Sequence, residues 1–257
     1  MVRYVFAILL FFTVGCEATE KQKSDQQPIA LIYAGPGVCD DGNCAQNAAD
    51  VAIRAGLAVR FVQPTDLTPA IFNGAVVWIQ PGGDSIEATN AIGLYGRNLI
   101  RNFIASGGGY LGFCAGGYFA AREIDTGIPG LGLVEGEVDD YSPGDKSASV
   151  PQTLWNYQFR QVYFEDGPTF EIRSPAHEHP VAFYPDGRVA AMKSAYGLGR
   201  VALSGPHPEA PPSWRDYYQL PDRDGDDYDL AHDLLNWTVR SSAPMKFPDY
   251  TSDSHTK

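Results

Sequence analysis

The chain has 257 residues, enough for one large domain with a full core or two small ones. Hydrophobic residues make up 44% and charged residues 19%, a globular balance that argues against a disordered chain. The net charge of −12 gives a surface that repels phosphate backbones, so nucleic acid is not an expected partner.

The first element is at the N-terminus. Arg3 precedes an apolar run from Tyr4 to Val14, followed by Gly15 and Cys16. A charged start, a short apolar stretch and a small residue at its end read as a secretory signal over residues 1–15. The run is too short to span a bilayer as a helix. Cys16 directly after Gly15 resembles the lipobox of bacterial lipoproteins, although Thr13 stands where Leu is usual. That resemblance implies that Cys16 is lipidated and anchors the chain to a membrane, facing the periplasm or cell exterior. The other reading is an ordinary signal peptide with an incidental cysteine. Residues 16–27 are polar and read as a flexible tether.

Ile29 to Ala34 is a short apolar run ending in Gly35-Pro36-Gly37, the mark of a buried strand in a parallel sheet. Asn43 to Gly56 has apolar residues at helical spacing, with Gly56 as the stop. Leu57–Val62 and Ala75–Ile79 are the next strands, the latter running into Pro81-Gly82-Gly83. The periodicity predicts a helix over Ala91–Ala105, stopped by Ser106-Gly107-Gly108-Gly109. Tyr110–Phe113 is a fourth strand, and Gly116–Arg122 opens a helix. Strands alternating with helices imply a parallel sheet covered on both faces. The turns at Gly35, Gly82 and Cys114 then converge at the carboxyl ends of the strands.

Beyond residue 130 short strands are expected at Val162–Phe164, Val181–Tyr184, Val189–Lys193 and Arg200–Leu203. Turns such as Pro185-Asp186-Gly187 separate them. They form an antiparallel extension of the same domain. Asp229–Val239 is a closing helix, and residues 241–257 are a loose polar tail.

Three segments carry chemistry. In Gly112-Phe113-Cys114-Ala115-Gly116-Gly117 a strand passes through a cysteine directly into a helix. This is the nucleophile-elbow arrangement with Cys in place of Ser, and the sharp turn needs small neighbours. The N–H of Ala115 would face a developing oxyanion. A small cysteine buried in a tight strand–helix join is the alternative. In Pro206-His207-Pro208-Glu209, extended geometry before proline would set His207 and Glu209 on one side, a base with its orienting carboxylate. A loop histidine flanked by prolines is the plainer reading. Gly82 and Gly83 offer backbone N–H groups to complete an oxyanion hole, or they form a plain turn.

Taken together, a glycine-rich hole loop, a cysteine elbow and a late His-x-Glu resemble the class I glutamine amidotransferase superfamily. Within it the chain resembles the domain found at the N-terminus of biotin–protein ligases and as free-standing bacterial proteins. The resembling segments are Tyr33–Gly37, Gln80–Asp84, Gly107–Tyr118 and Gly199–Glu209, within residues 28–240. The resemblance implies a flavodoxin-like three-layer α/β/α sandwich with a β-rich C-terminal extension. It assigns Cys114, His207 and Glu209 to a triad that forms a thioester with an amide. No ligase catalytic segment is expected after residue 240, so biotinylation is not implied.

The expected function is thus a thiol hydrolase or amidotransferase acting on a small-molecule or peptide amide. The rival is a catalytically inactive binding module on the same scaffold, and a related peptidase is a third possibility. No cofactor is called for. With Cys16 and Cys114 assigned, Cys39 and Cys44 remain, as a disulfide in an oxidising compartment or as two reduced thiols. No metal is expected. The alternating acids from Asp222 to Asp229 lack the sixth-position glycine of a calcium loop and read as solvated. His177-Glu178-His179 lacks a third ligand at useful spacing and reads as a surface loop. Tyr33, Tyr110, Tyr118, Trp155 and Tyr157 are candidates for lining a crevice, with core packing as the default.

Overall fold

The computed structural model describes residues 27–142, 144, 148–221 and 223–239. The signal segment, Cys16, the tether up to residue 26 and the tail from residue 241 lie outside the described residues.

Eleven strands form one sheet: Ile29–Tyr33 (β1), Ala58–Val62 (β2), Ala75–Gln80 (β3), Gly109–Phe113 (β4), Val138–Asp140 (β5), Gln152–Trp155 (β6), Gln158–Gln161 (β7), Pro168–Phe170 (β8), Glu178–Phe183 (β9), Val189–Tyr196 (β10) and Gly199–Ser204 (β11). The helices are Cys44–Arg54 (α1), Ser85–Ala105 (α2), Ala115–Ala120 (α3), Pro212–Tyr217 (α4) and Tyr228–Val239 (α5). The main path through the sheet is β7-β6-β9-β10-β11-β4-β3-β1-β2, with β8 pairing to β10 and β5 beside it. β2, β1, β3, β4 and β11 run parallel, which is the flavodoxin-like order. β10, β9, β6 and β7 continue the same sheet antiparallel.

The parallel strands bury both faces, and their side chains alternate between two cores. Ala30, Ile32, Val77, Ile79, Leu111, Phe113 and Ala202 join α1 and α5 on one side. Leu31, Tyr33, Trp78, Tyr110, Val201 and Leu203 join α2 and α3 on the other. Each fully buried large apolar side chain contributes about 1.5–3 kcal/mol. These layers fix the carboxyl ends of β3, β4 and β11 side by side.

Two elements differ from expectation. α2 starts at Ser85 and not Ala91, because the Asp84 carboxylate accepts from the N–H groups of Ile86 (2.8 Å) and Glu87 (2.9 Å). Non-helical Gly93 (φ 65°, ψ 176°) interrupts the helix and masks its first turns in the periodicity. The strand expected at Val162–Phe164 is displaced. Only Phe164–Glu165 pairs, with Ala148–Ser149, because the Tyr163 carbonyl is taken by the N–H of His207 at 2.7 Å.

Candidate active site

β4 delivers the nucleophile. The Cys114 N–H still donates to the Ser204 carbonyl (2.8 Å), continuing the β4–β11 ladder. At Cys114 itself the chain turns through φ 47°, ψ −107°, a sparsely populated region for a residue with a side chain, of the kind that recurs at functional sites. A Cβ on Gly112 would run into the Gly116 carbonyl, and one on Gly116 into the Gln80 carbonyl. The small residues around Cys114 are therefore required by close backbone approach. The Cys114 carbonyl accepts from Gly117 (2.7 Å), so α3 starts at Ala115. The Ala115 N–H thus belongs to a first turn, where helices offer amides no internal partner.

The loop after β3 runs alongside. Val38 and Gly83 form an antiparallel bridge through Cys39 N–H to Gly82 O (3.2 Å) and Asp84 N–H to Gly37 O (2.7 Å). The bridge uses neither glycine's N–H. Gly83 has φ 136°, and a Cβ there would strike the Gly37 carbonyl. A Cβ built on Gly82 would lie 2.7 Å from His207 Cε1, 3.6 Å from Cys114 Cβ and 3.6 Å from Cys44 Sγ. Gly82 is thus where the cysteine, the histidine and the 39–44 loop meet. Cys39 and Cys44 are joined in a disulfide, Cα–Cα 5.5 Å.

β11 delivers the base. His207 and Glu209 are buried, and His207 Nδ1 lies 2.8 Å from Glu209 Oε1. Their closeness comes from a turn, closed by Ala210 N–H to His207 O (3.1 Å). The expected extended segment is absent, and the turn is what sets residues two apart face to face. The imidazole sits against Trp214 and Tyr163, ring centroids 5.2 and 5.9 Å away. Trp214 Nε1 donates to Gly42 O (3.0 Å), tying this wall to the disulfide loop. Burial is the largest influence on His207 and acts to lower its pKa. The charges of Glu209 and Cys114 outweigh it and hold the ring well above the ordinary value of 6.5. Cys114 and His207 therefore lie close enough for the sulfur to act on the ring, on either side of Gly82.

Other groups around the sulfur had no motif to announce them. The Glu165 carbonyl accepts from Cys114 Sγ at 3.5 Å. The Glu165 carboxylate accepts from Tyr163 (2.7 Å) and Tyr218 (2.9 Å). Arg215 is buried and donates to Asp227 (2.6 Å) and to the Ala210 carbonyl (3.5 Å), bracing the His207 turn. Tyr118 donates to Asp140 (2.6 Å). Burial first, then Asp140 and Cys114, raise its pKa. Residues 163–166 and 214–218 carry no spacing rule that could have found them.

The remaining candidates fall elsewhere. Asp224, Asp227 and Asp229 turn onto Arg160, and Asp227 also onto Arg215. The expectation of solvated acids is therefore corrected for Asp227, which is buried; Asp222 lies outside the described residues. Glu178 starts β9 and is buried, correcting the surface-loop reading. Tyr33, Tyr110 and Trp155 are core, and Tyr157 is exposed.

Comparison with known proteins follows the same lines. Residues 29–133 match the family described as "Biotin-protein ligase, N terminal". A biotin–protein ligase of Schizosaccharomyces pombe is 26% identical over 179 residues, 59% of this chain and 28% of that protein. An uncharacterised protein of Chlamydia muridarum is 25% identical over 159 residues, 52% of this chain and 60% of that one. The chain thus matches less than two thirds of either relative's length. A crystal structure of a glutamine amidotransferase superposes with TM-score 0.56 at 18% identity, covering 74% of this chain and 96% of that one. Another, from Thermotoga maritima, gives 0.50 at 13%, covering 76% and 83%. Residues 29–133 are thus similar to the biotin–protein ligase N-terminal family, and the fold is like that of solved glutamine amidotransferases.

Proposed function

We propose that this chain is an exported, membrane-anchored thiol hydrolase or amidotransferase that acts on an amide bond. The observation that carries the reading is the buried His207–Glu209 pair, Nδ1 to Oε1 2.8 Å, set beside Cys114 across Gly82 at the carboxyl ends of β4 and β11. Cys114 Sγ attacks the amide carbon while His207 takes its proton, and Glu209 holds the ring by Nδ1. The N–H groups of Ala115 and the Gly82–Gly83 loop face the tetrahedral oxyanion, each donor worth about 3 kcal/mol. His207 then protonates the departing amine, and the thioester is released to water or to an acceptor amine. Glutamine is one amide to test, because solved glutamine amidotransferases share the fold.

Export rests on the signal-like segment ahead of Cys16 and on the Cys39–Cys44 disulfide, which suits an oxidising compartment. The tether is a lipid on Cys16, on the resemblance of Gly15-Cys16 to a lipobox; no helix among the described residues is long and apolar enough to cross a membrane. Mass spectrometry of the mature N-terminus tests this: an unmodified Cys16 or cleavage elsewhere refutes it.

The catalytic reading is tested by turnover on amide and peptide libraries together with iodoacetamide labelling. Cys114→Ala should keep the fold and lose all turnover. His207→Ala should slow labelling of Cys114. Turnover unchanged in Cys114→Ala refutes the mechanism. Labelling at the rate of an ordinary free thiol, with no turnover, means a binding module instead.

A further inference from the structure

A cavity of about 450 Å³ opens at the opposite end of the sheet from Cys114, and its wall includes Arg101, Arg122, Glu135, His177, Glu178 and Tyr196. Tyr196 ends β10 opposite Gly199, the first residue of β11. Cys114 follows β4, whose last residue lies beside Ser204 at the other end of β11. At about 3.3 Å per strand residue the two sites are separated by roughly 17 Å.

The cavity is built around one buried carboxylate. Glu178 is 1% exposed. Its Oε1 accepts from the Glu135 N–H (2.7 Å), and its Oε2 from the N–H groups of Arg173 (2.9 Å) and Ser174 (3.0 Å). Two wall loops are thereby pinned to a single group, which preforms the space as ligand sites require. Three amides occupy the charge of Glu178, which leaves Glu135 as the other acid on the wall.

The cations have no such partners. The chain holds 31 acidic residues against 19 Lys and Arg, and Arg160, Arg173, Arg188 and Arg215 each sit on carboxylates. Among the described residues no carboxylate lies within ion-pair distance of Arg101 or Arg122. Arg101 Nε donates to the Tyr196 hydroxyl at 3.3 Å, which holds the guanidinium at the wall with its two terminal nitrogens uncommitted. A guanidinium presents a planar fork that matches a carboxylate or phosphate bidentately.

We propose that this cavity is a second ligand site, separate from Cys114, for a small organic anion carrying a carboxylate or phosphate group. Glu135 supplies an acceptor for a hydroxyl or ammonium on the same molecule. Calorimetric titration of the full chain at low salt with succinate, and separately with glycerol phosphate, distinguishes the two sources. Saturable one-site binding of at least one is expected. Arg101→Gln and Arg122→Gln should each weaken it about tenfold or more, as loss of a hydrogen bond to a charged group does. Both arginines are exposed, so these variants keep the fold. Cys114→Ala should leave the affinity unchanged. The proposal is overturned if neither compound saturates, if both arginine variants bind like the parent, or if Cys114→Ala abolishes binding. Because the readout is binding, it stands or falls independently of any amide turnover.

Discussion

Gly82→Ala isolates the geometry of the site from its chemistry. Gly82 does not have the positive φ that makes a side chain costly, so the backbone accepts alanine. The new methyl would stand 2.7 Å from His207 Cε1, while its 3.6 Å contact with Cys114 Cβ is ordinary. Carbon–carbon contacts settle at about 3.5–4.0 Å, so the imidazole must retreat by roughly 1 Å. It has little room, because Glu209 holds Nδ1 at 2.8 Å and the ring sits against Trp214 and Tyr163. Overpacking of this kind costs about 1–3 kcal/mol. In a domain of this size each kcal/mol lowers Tm by roughly 2–4 °C. A catalytic group displaced by about 1 Å loses on the order of 100-fold in rate. The assay is Cys114 alkylation by iodoacetamide beside a thermal melt: labelling should slow far more than the modest loss of Tm accounts for. A variant that melts lower yet labels at the parent rate would show that His207 does not assist the sulfur, and the triad would fail.

Three further outcomes follow from the same contacts. Glu209→Gln keeps an acceptor for Nδ1 but removes the charge that holds the His207 pKa up. Turnover should fall by about 10⁴, far more than the lowered melt accounts for, since loss of the orienting carboxylate of a triad has that effect; a rate within a few-fold of the parent argues against an orienting role. The folded His207 pKa lies well above the unfolded 6.5, so the protonated ring stabilises the fold fully below pH 6.5 and this contribution is lost as pH rises through the folded value. Urea titrations should therefore show the stability gap between the parent and His207→Gln narrowing as pH rises from 6.5; a widening gap contradicts the sign. Reduction of Cys39–Cys44, or the Cys39→Ser/Cys44→Ser pair, frees the loop that grips Gly82 and Gly83 through Cys39, Gly37 and Val38. Removing a disulfide commonly costs about 2–5 kcal/mol, and activity should drop before global unfolding in a denaturant series; coincident loss of activity and fold would deny the loop a separate role.

What could be read from the chain depended on how local each determinant is. The parallel half was legible because each of its strands is an apolar run closed by Gly or Pro, and its helices repeat every 3.6 residues. Cys114 was legible because an elbow needs small residues at fixed offsets: Gly112 and Gly116 meet backbone carbonyls that no Cβ would clear. His207 and Glu209 do lie side by side, but a turn and not the extended chain read from the prolines brings them together. The antiparallel half was legible only in β9 and β10, whose apolar runs mark them. β5 through β8 are three or four residues long; β5 and β8 pair with each other across some thirty residues, and β6 and β7 form a hairpin whose turn at Asn156–Tyr157 takes positive φ without a glycine to mark it. The same holds for the walls of the site. Glu165 and Tyr163 reach Cys114 and His207 through contacts far apart in the chain, and Trp214 and Arg215 pack back onto the His207 turn from a short helix that no motif announces. The two halves therefore divide the labour. Local rules on the parallel sheet place the sulfur, the oxyanion donors and the end of β11 that carries the base, whereas nonlocal packing of the remaining segments walls the base and shapes what approaches it. On the proposed function, substrate choice would reside in segments 139–141, 163–166 and 214–218. Exchanging those segments between related chains should change the preferred amide while leaving Cys114 alkylation intact. A swap that silenced the thiol as well would show that the walls position the triad and do not merely select for it.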